Sequence, residues 1–287
     1  MSQGHAPVAS VVIPAHNEGP RIVDCLRPLV SLSRSLPLEI VVVANGCIDD
    51  TVHLASSQPG VVVLNLPEPS KTGALNAGDE VATAFPRLYL DADVVLDEQA
   101  VRSMIQVLST DLPALSAPTV RHQTDGADLL VRAYFHIFRQ LPSARQSVVG
   151  RGVYAVSEAG RARFGRFPDL LADDLFVNRL FSPQETIVSQ GLSTVRTPRR
   201  WQDLLKVRTR LVAGNVELAR TTQGEVGVLT QAHDFSATTS ATLRALLALV
   251  VRRPYELPPA LVYAAINTLA RSPRQPTRRW QRDESSR

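Results

Sequence analysis

Four apolar, β-branched runs dominate the first part of the chain, and each stops at a polar loop that leads into a helical segment. Residues 8–13 stop at Pro14, residues 40–43 break at Asn45-Gly46, residues 61–64 end before Pro67 and Pro69, and residues 87–90 end at Asp91. Between them, Asn17 is placed to cap a helix carrying Ile22, Leu26, Leu29 and Val30. Asp49-Asp50-Thr51 opens a short helix, and residues 71–84 read as a third. Strands alternating with helices at this spacing admit few solutions. The pattern predicts an α/β fold with a doubly wound, mostly parallel sheet flanked by helices.

In such a sheet the loops that follow the strands leave one edge together, and ligands bind there. Those loops are therefore where chemistry is expected. The first, Pro14-Ala15-His16-Asn17-Glu18, offers backbone amides to a base or phosphate, and the Glu18 carboxylate can accept hydrogen bonds from a base or ribose. The plainer reading of Asn17 and Glu18 is helix capping. In the second loop Gly46 permits a tight turn, Asn45 can pair with a base edge, and Asp49 can cap the helix. The third, from Lys71 to Gly78, sets a lysine and a close-approach glycine at a helix start, which suits a diphosphate. In the fourth, Asp91 and Asp93 stand one residue apart just past a buried strand. Two carboxylates that close repel unless a cation lies between them, and hard oxygen ligands suit Mg²⁺ or Mn²⁺ carrying a diphosphate.

Composition narrows the rest. With 44% hydrophobic residues among 287, the chain has the material for a full core, and global disorder is excluded. A net charge of +4, from 31 basic and 27 acidic residues, is too mild to imply nucleic acid, and no aromatic stacking platform accompanies the Arg-rich end. Only Lys71 and Lys206 are lysines, a codon bias that makes a lysine kept at position 71 more informative. Cys25 and Cys47 allow neither a disulfide framework nor a C-x-x-C metal site, and they suit a reducing cytoplasm. No basic-then-apolar leader opens the chain.

Beyond Asp93 the alternation loosens. Residues 97–108, 125–140, 170–181 and 201–220 read as helices, and residues 114–120 and 148–156 as strands. Residues 241–251 and 257–270 are apolar and helical, split by Arg252-Arg253-Pro254, and the end is rich in Arg, Pro and Ser. The longest apolar run there, residues 245–251, falls far short of the ~20 needed to span a bilayer. A cytoplasmic location is expected. For 241–270 an ordinary helical hairpin stands beside peripheral contact with the anionic inner face of the plasma membrane.

The ordered set VVIPAHNEG, VVVANGCIDDT, KTGALNAGD and YLDADV closely resembles the nucleotide-sugar half of the family-two glycosyltransferases, which have the GT-A fold. The resemblance is strong over about the first hundred residues and continues more weakly to Gly214. It implies a GT-A-like, Rossmann-type architecture with a C-terminal helical extension. In that family the first two loops hold the nucleoside, often uridine, the first Asp of the D-x-D touches ribose or sugar, and the second binds the metal. By resemblance these are Asp91 and Asp93. The family often has Asp where this chain has Asn45.

In the second half, Gly150-Arg151-Gly152 looks like the family's segment bordering sugar and acceptor; the plainer reading is close strand packing. Asp173-Asp174 looks like the family's acidic pair, whose second member is the general base, although a favourable helix start alone explains two acids there. Arg208, Arg210 and Gly214 fit the Q-R-x-R-W segment of processive members, but Val207 and Leu211 replace its Gln and Trp. The two arginines read as diphosphate contacts or as surface cations. His122 and His233 could each provide a third metal ligand; a satisfied or exposed histidine is the plainer reading of both, as of His16.

The resemblance thus implies a metal-dependent, inverting and non-processive transferase. Its donor is a nucleotide-diphosphate sugar, UDP-linked by family habit, and its acceptor a glycan, a lipid-linked molecule or a small metabolite. Residues 1–235 would form the catalytic domain (1–95 donor half, 96–235 acceptor half), 236–271 a helical extension, and 272–287 a disordered basic tail. A nucleotidyltransferase would show a glycine-rich basic loop after the first strand, which is lacking; a non-catalytic nucleotide-sugar-binding protein would be expected to lose the acids, which are kept.

Overall fold

The computed structural model describes residues 6–142, 144, 148, 150–170, 172–225 and 238–272. His233 and residues 273–287, which include nearly all of the expected tail, lie outside the described residues. The described residues fall into two compact units. One comprises those up to Arg121 together with those from Val148 to Val195; the other comprises those from His122 up to residue 144 and those from Arg196 onward.

The first unit is built on an eight-stranded sheet in the order β3-β2-β1-β4-β7-β6-β8-β5. Its parallel half is β1 (Ala9–Ala15), β2 (Leu38–Asn45), β3 (Val61–Leu66) and β4 (Arg87–Leu90). The helices α1 (Pro20–Leu32), α2 (Thr51–Ser56) and α3 (Lys71–Val81) alternate with these strands. Successive strand residues face opposite sides. Val11 and Ile13 therefore join Ile22, Leu26, Leu29 and Met104 in one core layer, while Val12 joins Leu75, Tyr89, Tyr154 and Phe167 in the other.

The other half of the sheet departs from the parallel expectation. β5 (Val94–Leu96) pairs antiparallel with β8 (Thr186–Arg196), and β7 (Val153–Val156) pairs antiparallel with both β4 and β6 (Leu115–Gln123). Neither β5 nor β8 was expected. β5 is apolar but has three residues, too few to read as a strand, and β8 is half-buried, largely polar and interrupted by Gly191. Around these strands lie α4 (Glu98–Leu108), α6 (Glu158–Arg161) and α7 (Asp173–Asn178).

Boundaries shift where local bonding overrides propensity. α1 begins at Pro20, not at Asn17; Gly19 precedes it at φ +46° and donates its N–H to Thr51 Oγ1 at 2.8 Å. β1 runs through Pro14 to Ala15, because its pairing with β4 ends at Val12 and a residue without an N–H is tolerated beyond. α7 spans six residues where a longer helix was expected.

The second unit is helical: α5 (Leu129–Phe138), α8 (Trp201–Glu225), α9 (Thr238–Arg252) and α10 (Leu257–Ala270). Its core gathers Val131, Tyr134, Phe135, Ile137, Leu204, Ala260, Tyr263 and Ile266. No helix among the described residues is long and apolar enough to cross a membrane.

Candidate active site

The C-terminal ends of β1, β2 and β4 and the start of α3 are tied together by side chains. Asn17, at φ +53°, accepts the Ile48 N–H on Oδ1 at 2.8 Å, which links the first loop to the second. His16 Nδ1 lies 2.6 Å from the Asn45 carbonyl oxygen and its Nε2 3.1 Å from Asn17 Nδ2, so this ring is a brace. Asn45 is fully buried. Its amide donates to the Ala15 and Val43 carbonyls, and its Oδ1 accepts the Ser70 N–H at 3.1 Å. The sequence allowed Asn45 to read a base edge, but the structure spends its amide on three backbone groups. Gly46, at φ +60°, is a steric requirement as well, since a Cβ there would stand 2.8 Å from Pro69 N. Pro14 is buried in β1, and Glu18 lies 3.9 Å from Arg21. Cys25 is buried and Cys47 half-buried, both as free thiols.

α3 starts where Ser70 Oγ accepts the Gly73 N–H at 3.0 Å, and this cap places Lys71 in the first turn. Lys71 Nζ lies 2.8 Å from Asp91 Oδ1 and 2.9 Å from Asp173 Oδ1. One ammonium thus joins the D-x-D loop to the helix that carries the second acidic pair. Burial disfavours the charged lysine, but the Asp173 and Asp91 carboxylates outweigh it and hold its pKa well above the usual lysine range.

Asp173 is buried and committed on both oxygens, since Tyr154 donates its hydroxyl to Oδ2 at 3.0 Å. Burial, and next the Asp173 charge, push the Tyr154 phenol well above its ordinary range. Asp174 accepts the Gly150 N–H on Oδ2 at 2.7 Å and the Leu175 N–H on Oδ1 at 2.8 Å. Burial and then the Asp173 charge raise its pKa to about 6, against the opposing pull of Lys71 and the Gly150 N–H. Gly152, at φ +67°, lets the backbone close on the D-x-D. Its carbonyl accepts the Asp91 N–H at 2.8 Å, and a Cβ there would stand 2.3 Å from Val94 Cγ2.

Asp91, Asp173, Asp174, Lys71, Gly150 and Gly152 therefore form one cluster, with Asp93 half-buried two residues beyond Asp91. Among the described residues no group of three or more His, Cys, Asp or Glu side chains is arranged to hold a metal. His122 belongs to the second unit, where its ring stacks on Phe135 at 4.6 Å; burial, then Arg139, lower its pKa to about 4. Arg208 and Arg210 also belong to the second unit, on α8. Arg208 Nη2 donates to Asn267 Oδ1 at 3.1 Å, while Arg210 is exposed.

Two functional features escaped sequence reading. Tyr154 sits in the apolar run Val-Tyr-Ala-Val and reads as plain core; its only signal is its place two residues after Gly152. Asp79, in the α3 motif, is buried and receives Arg87, Arg161 and the Tyr89 hydroxyl. That network braces β4 just before Asp91.

The family model described as glycosyl transferase family 2 matches residues 10–165, more than half of the chain. The chain belongs to glycosyl transferase family 2. It is a glycosyltransferase, and its mixed sheet flanked by helices is GT-A-like. Among solved structures, mannosyltransferase PcManGT from Pyrobaculum calidifontis, in complex with GDP-Man and Mn²⁺, matches with a TM-score of 0.59 and 20% identity, over 93% of this chain and 77% of that one. Mannosyl-3-phosphoglycerate synthase from Rubrobacter xylanophilus matches with a TM-score of 0.51 and 17% identity, over 77% of each chain. Glucosyl-3-phosphoglycerate synthase from Mycobacterium tuberculosis, in complex with Mn²⁺ and UDP-Glc, matches with a TM-score of 0.50 and 18% identity, over 72% of this chain and 78% of that one. At these identities the likeness speaks for the fold. A search of curated proteins finds no match.

Proposed function

We propose that this family-2 glycosyltransferase moves a hexosyl group from a nucleoside-diphosphate sugar to an acceptor hydroxyl, with inversion at the anomeric carbon. The observation that carries the proposal is the bridge from Asp91 through Lys71 to Asp173. It puts the acidic pair of α7 and the D-x-D in one cluster, as a single displacement of a diphosphate by a hydroxyl requires.

The roles follow from the bonding. Asp174 is the general base: its pKa of about 6 leaves it ionised at neutral pH yet basic enough to take a proton. Asp173, paired with Lys71 through Oδ1 and accepting the Tyr154 hydroxyl on Oδ2, holds Lys71 beside Asp91. Lys71 supplies fixed positive charge for a diphosphate. Asp91 faces the donor sugar or ribose, and Gly150 and Gly152 border the acceptor side.

A divalent cation fits this donor set, because Mg²⁺ binds through one or two carboxylates, keeping waters and substrate phosphates for its other positions. Asp93, with Asp91 beside it, would hold that cation, whose chemistry there is Lewis-acid neutralisation of the leaving diphosphate. The family resemblance supports a uridine donor; the GDP-Man bound by the P. calidifontis protein keeps guanosine as the second reading. Val207 and Leu211, in place of Gln and Trp, support single transfer over polymerisation. The acceptor is a glycan, a lipid-linked molecule or a small hydroxylated metabolite.

The test is Asp174→Asn. Turnover is expected to fall by ~10²–10⁴-fold, while donor binding, read by thermal shift across a panel of nucleotide sugars with Mn²⁺, stays unchanged. Equal loss of turnover and donor affinity would remove Asp174 from the role of base.

A further inference from the structure

Among the described residues, the two C-terminal helices carry apolar faces that are exposed. In α10, Ala260, Tyr263, Ile266 and Ala270 turn inward and are buried. The opposite stripe, at four-residue spacing, is Leu257, Leu261, Ala265 and Leu269, with the leucines 48%, 61% and 48% exposed. α9 repeats the pattern with Leu243, Leu247 and Val251, which are 53%, 56% and 79% exposed, and Tyr255 lies exposed between the helices. A surface helix of a globular protein ordinarily turns polar residues outward. α4 does so with Glu98, Gln99, Arg102 and Gln106. The C-terminal pair does not.

Within the segment that carries these stripes the exposed charge has one sign. From residue 238 to 272 the cationic residues are Arg244, Arg252, Arg253 and Arg271. The one carboxylate in that stretch, Glu256, is buried and lies 2.8 Å from His136 Nε2. The sequence continues with Arg274, Arg278, Arg279, Arg282 and Arg287 against Asp283 and Glu284, a further excess of positive charge. Neither helix is long enough to span a bilayer.

We propose that the exposed faces of α9 and α10 dock on an anionic lipid surface, lying in its plane. Exposed leucines rimmed by arginine match the two attractions such a surface offers, apolar burial and anionic headgroups. A second copy of the chain matches only the first, since a symmetric contact would set arginine rim against arginine rim. An apolar protein partner would leave the one-signed charge without a complement.

The test uses the full chain and phosphatidylcholine vesicles, with or without phosphatidylglycerol, separated by sedimentation without donor or acceptor, so its outcome is independent of the glycosyl-transfer reading. The chain is expected to sediment with phosphatidylglycerol vesicles and to be released as salt rises. The double variant Leu247→Ser, Leu261→Ser should lower the bound-to-free ratio by about tenfold or more. Arg252→Gln with Arg253→Gln, which touches no core residue, should remove the preference for phosphatidylglycerol while leaving thermal unfolding unchanged. Equal sedimentation with both vesicle types, or leucine variants that bind like the parent, overturns the proposal. A parent dimer that the leucine variants dissolve, seen by light scattering, assigns the face to self-association and overturns it too.

Discussion

Replacing Lys71 with methionine isolates the ion bridge that organises the site, because methionine keeps the apolar stem and removes only the ammonium. The Asp173 side chain is 5% exposed and that of Asp91 39%. The two pairs are therefore unequal. The Asp91 pair is half in water and contributes at most about 1 kcal/mol. Among the described residues the Asp173 carboxylate would keep the Tyr154 hydroxyl alone, and stranding a buried charge costs about 3–5 kcal/mol. A net loss of at least about 3 kcal/mol is therefore expected. For a unit of this size it lowers Tm by roughly 6–12 °C. Because Asp173 and Asp91 raise the lysine's pKa, the bridge is fully present below the ordinary lysine pKa of about 10.4 and is lost only as pH rises through the still higher folded value. The deficit of the variant, measured by urea unfolding, should thus be the same at pH 7 and pH 9. A loss under about 0.5 kcal/mol, the range of ordinary surface substitutions, would show that the bridge does not order this site.

The base assignment also sets a pH dependence. Asp174 must be ionised to accept a proton, so kcat/KM should fall as pH drops through about 6, and a flat profile from pH 5 to 8 would contradict the assignment. Ionising a carboxylate whose folded pKa is raised opposes folding: its favourable contribution is present below the ordinary carboxylate value and is lost as pH rises through about 6. Asp174→Asn should accordingly gain stability relative to the parent at pH 8 and lose that advantage toward pH 4 in urea titrations. Asp93→Ala should abolish metal-dependent transfer; full activity of the parent in excess chelator would take the cation out of the scheme. Gly152→Ala meets Val94 and needs φ +67°, so it should cost about 1–3 kcal/mol and depress activity with it, whereas parent-like melting would show that the loop yields freely.

Much of the first half of the fold is legible because its signals are local. Arg87–Leu90 is a buried strand in both the pattern and the structure, and Ser70 and Asp97 cap the helices that follow them. The antiparallel half was not legible, since β8 carries polar residues and Gly191 where a strand signal needs alternation or an apolar run. Asn17 and Asn45 show the same limit within the site. Their amides suit a cap or a base equally well, and only the approach of Ile48 in one case and Ser70 in the other decides their use.

By itself, then, the chain determines the strand–helix alternation, the glycines at the tight turns and the presence of two acidic pairs with a rare lysine, all of which are matters of periodicity, turn chemistry and residue type. Tertiary structure alone decides that Lys71 meets partners 20 and 102 positions away in Asp91 and Asp173, that Tyr154 binds Asp173, and that Leu243, Leu247, Leu257, Leu261 and Leu269 stay outside while Leu246 and Leu249 pack inward. The reason is physical: an ion pair or a buried face depends on what the rest of the chain brings within a few ångströms, and short-range sequence pattern carries no distance between residues so far apart.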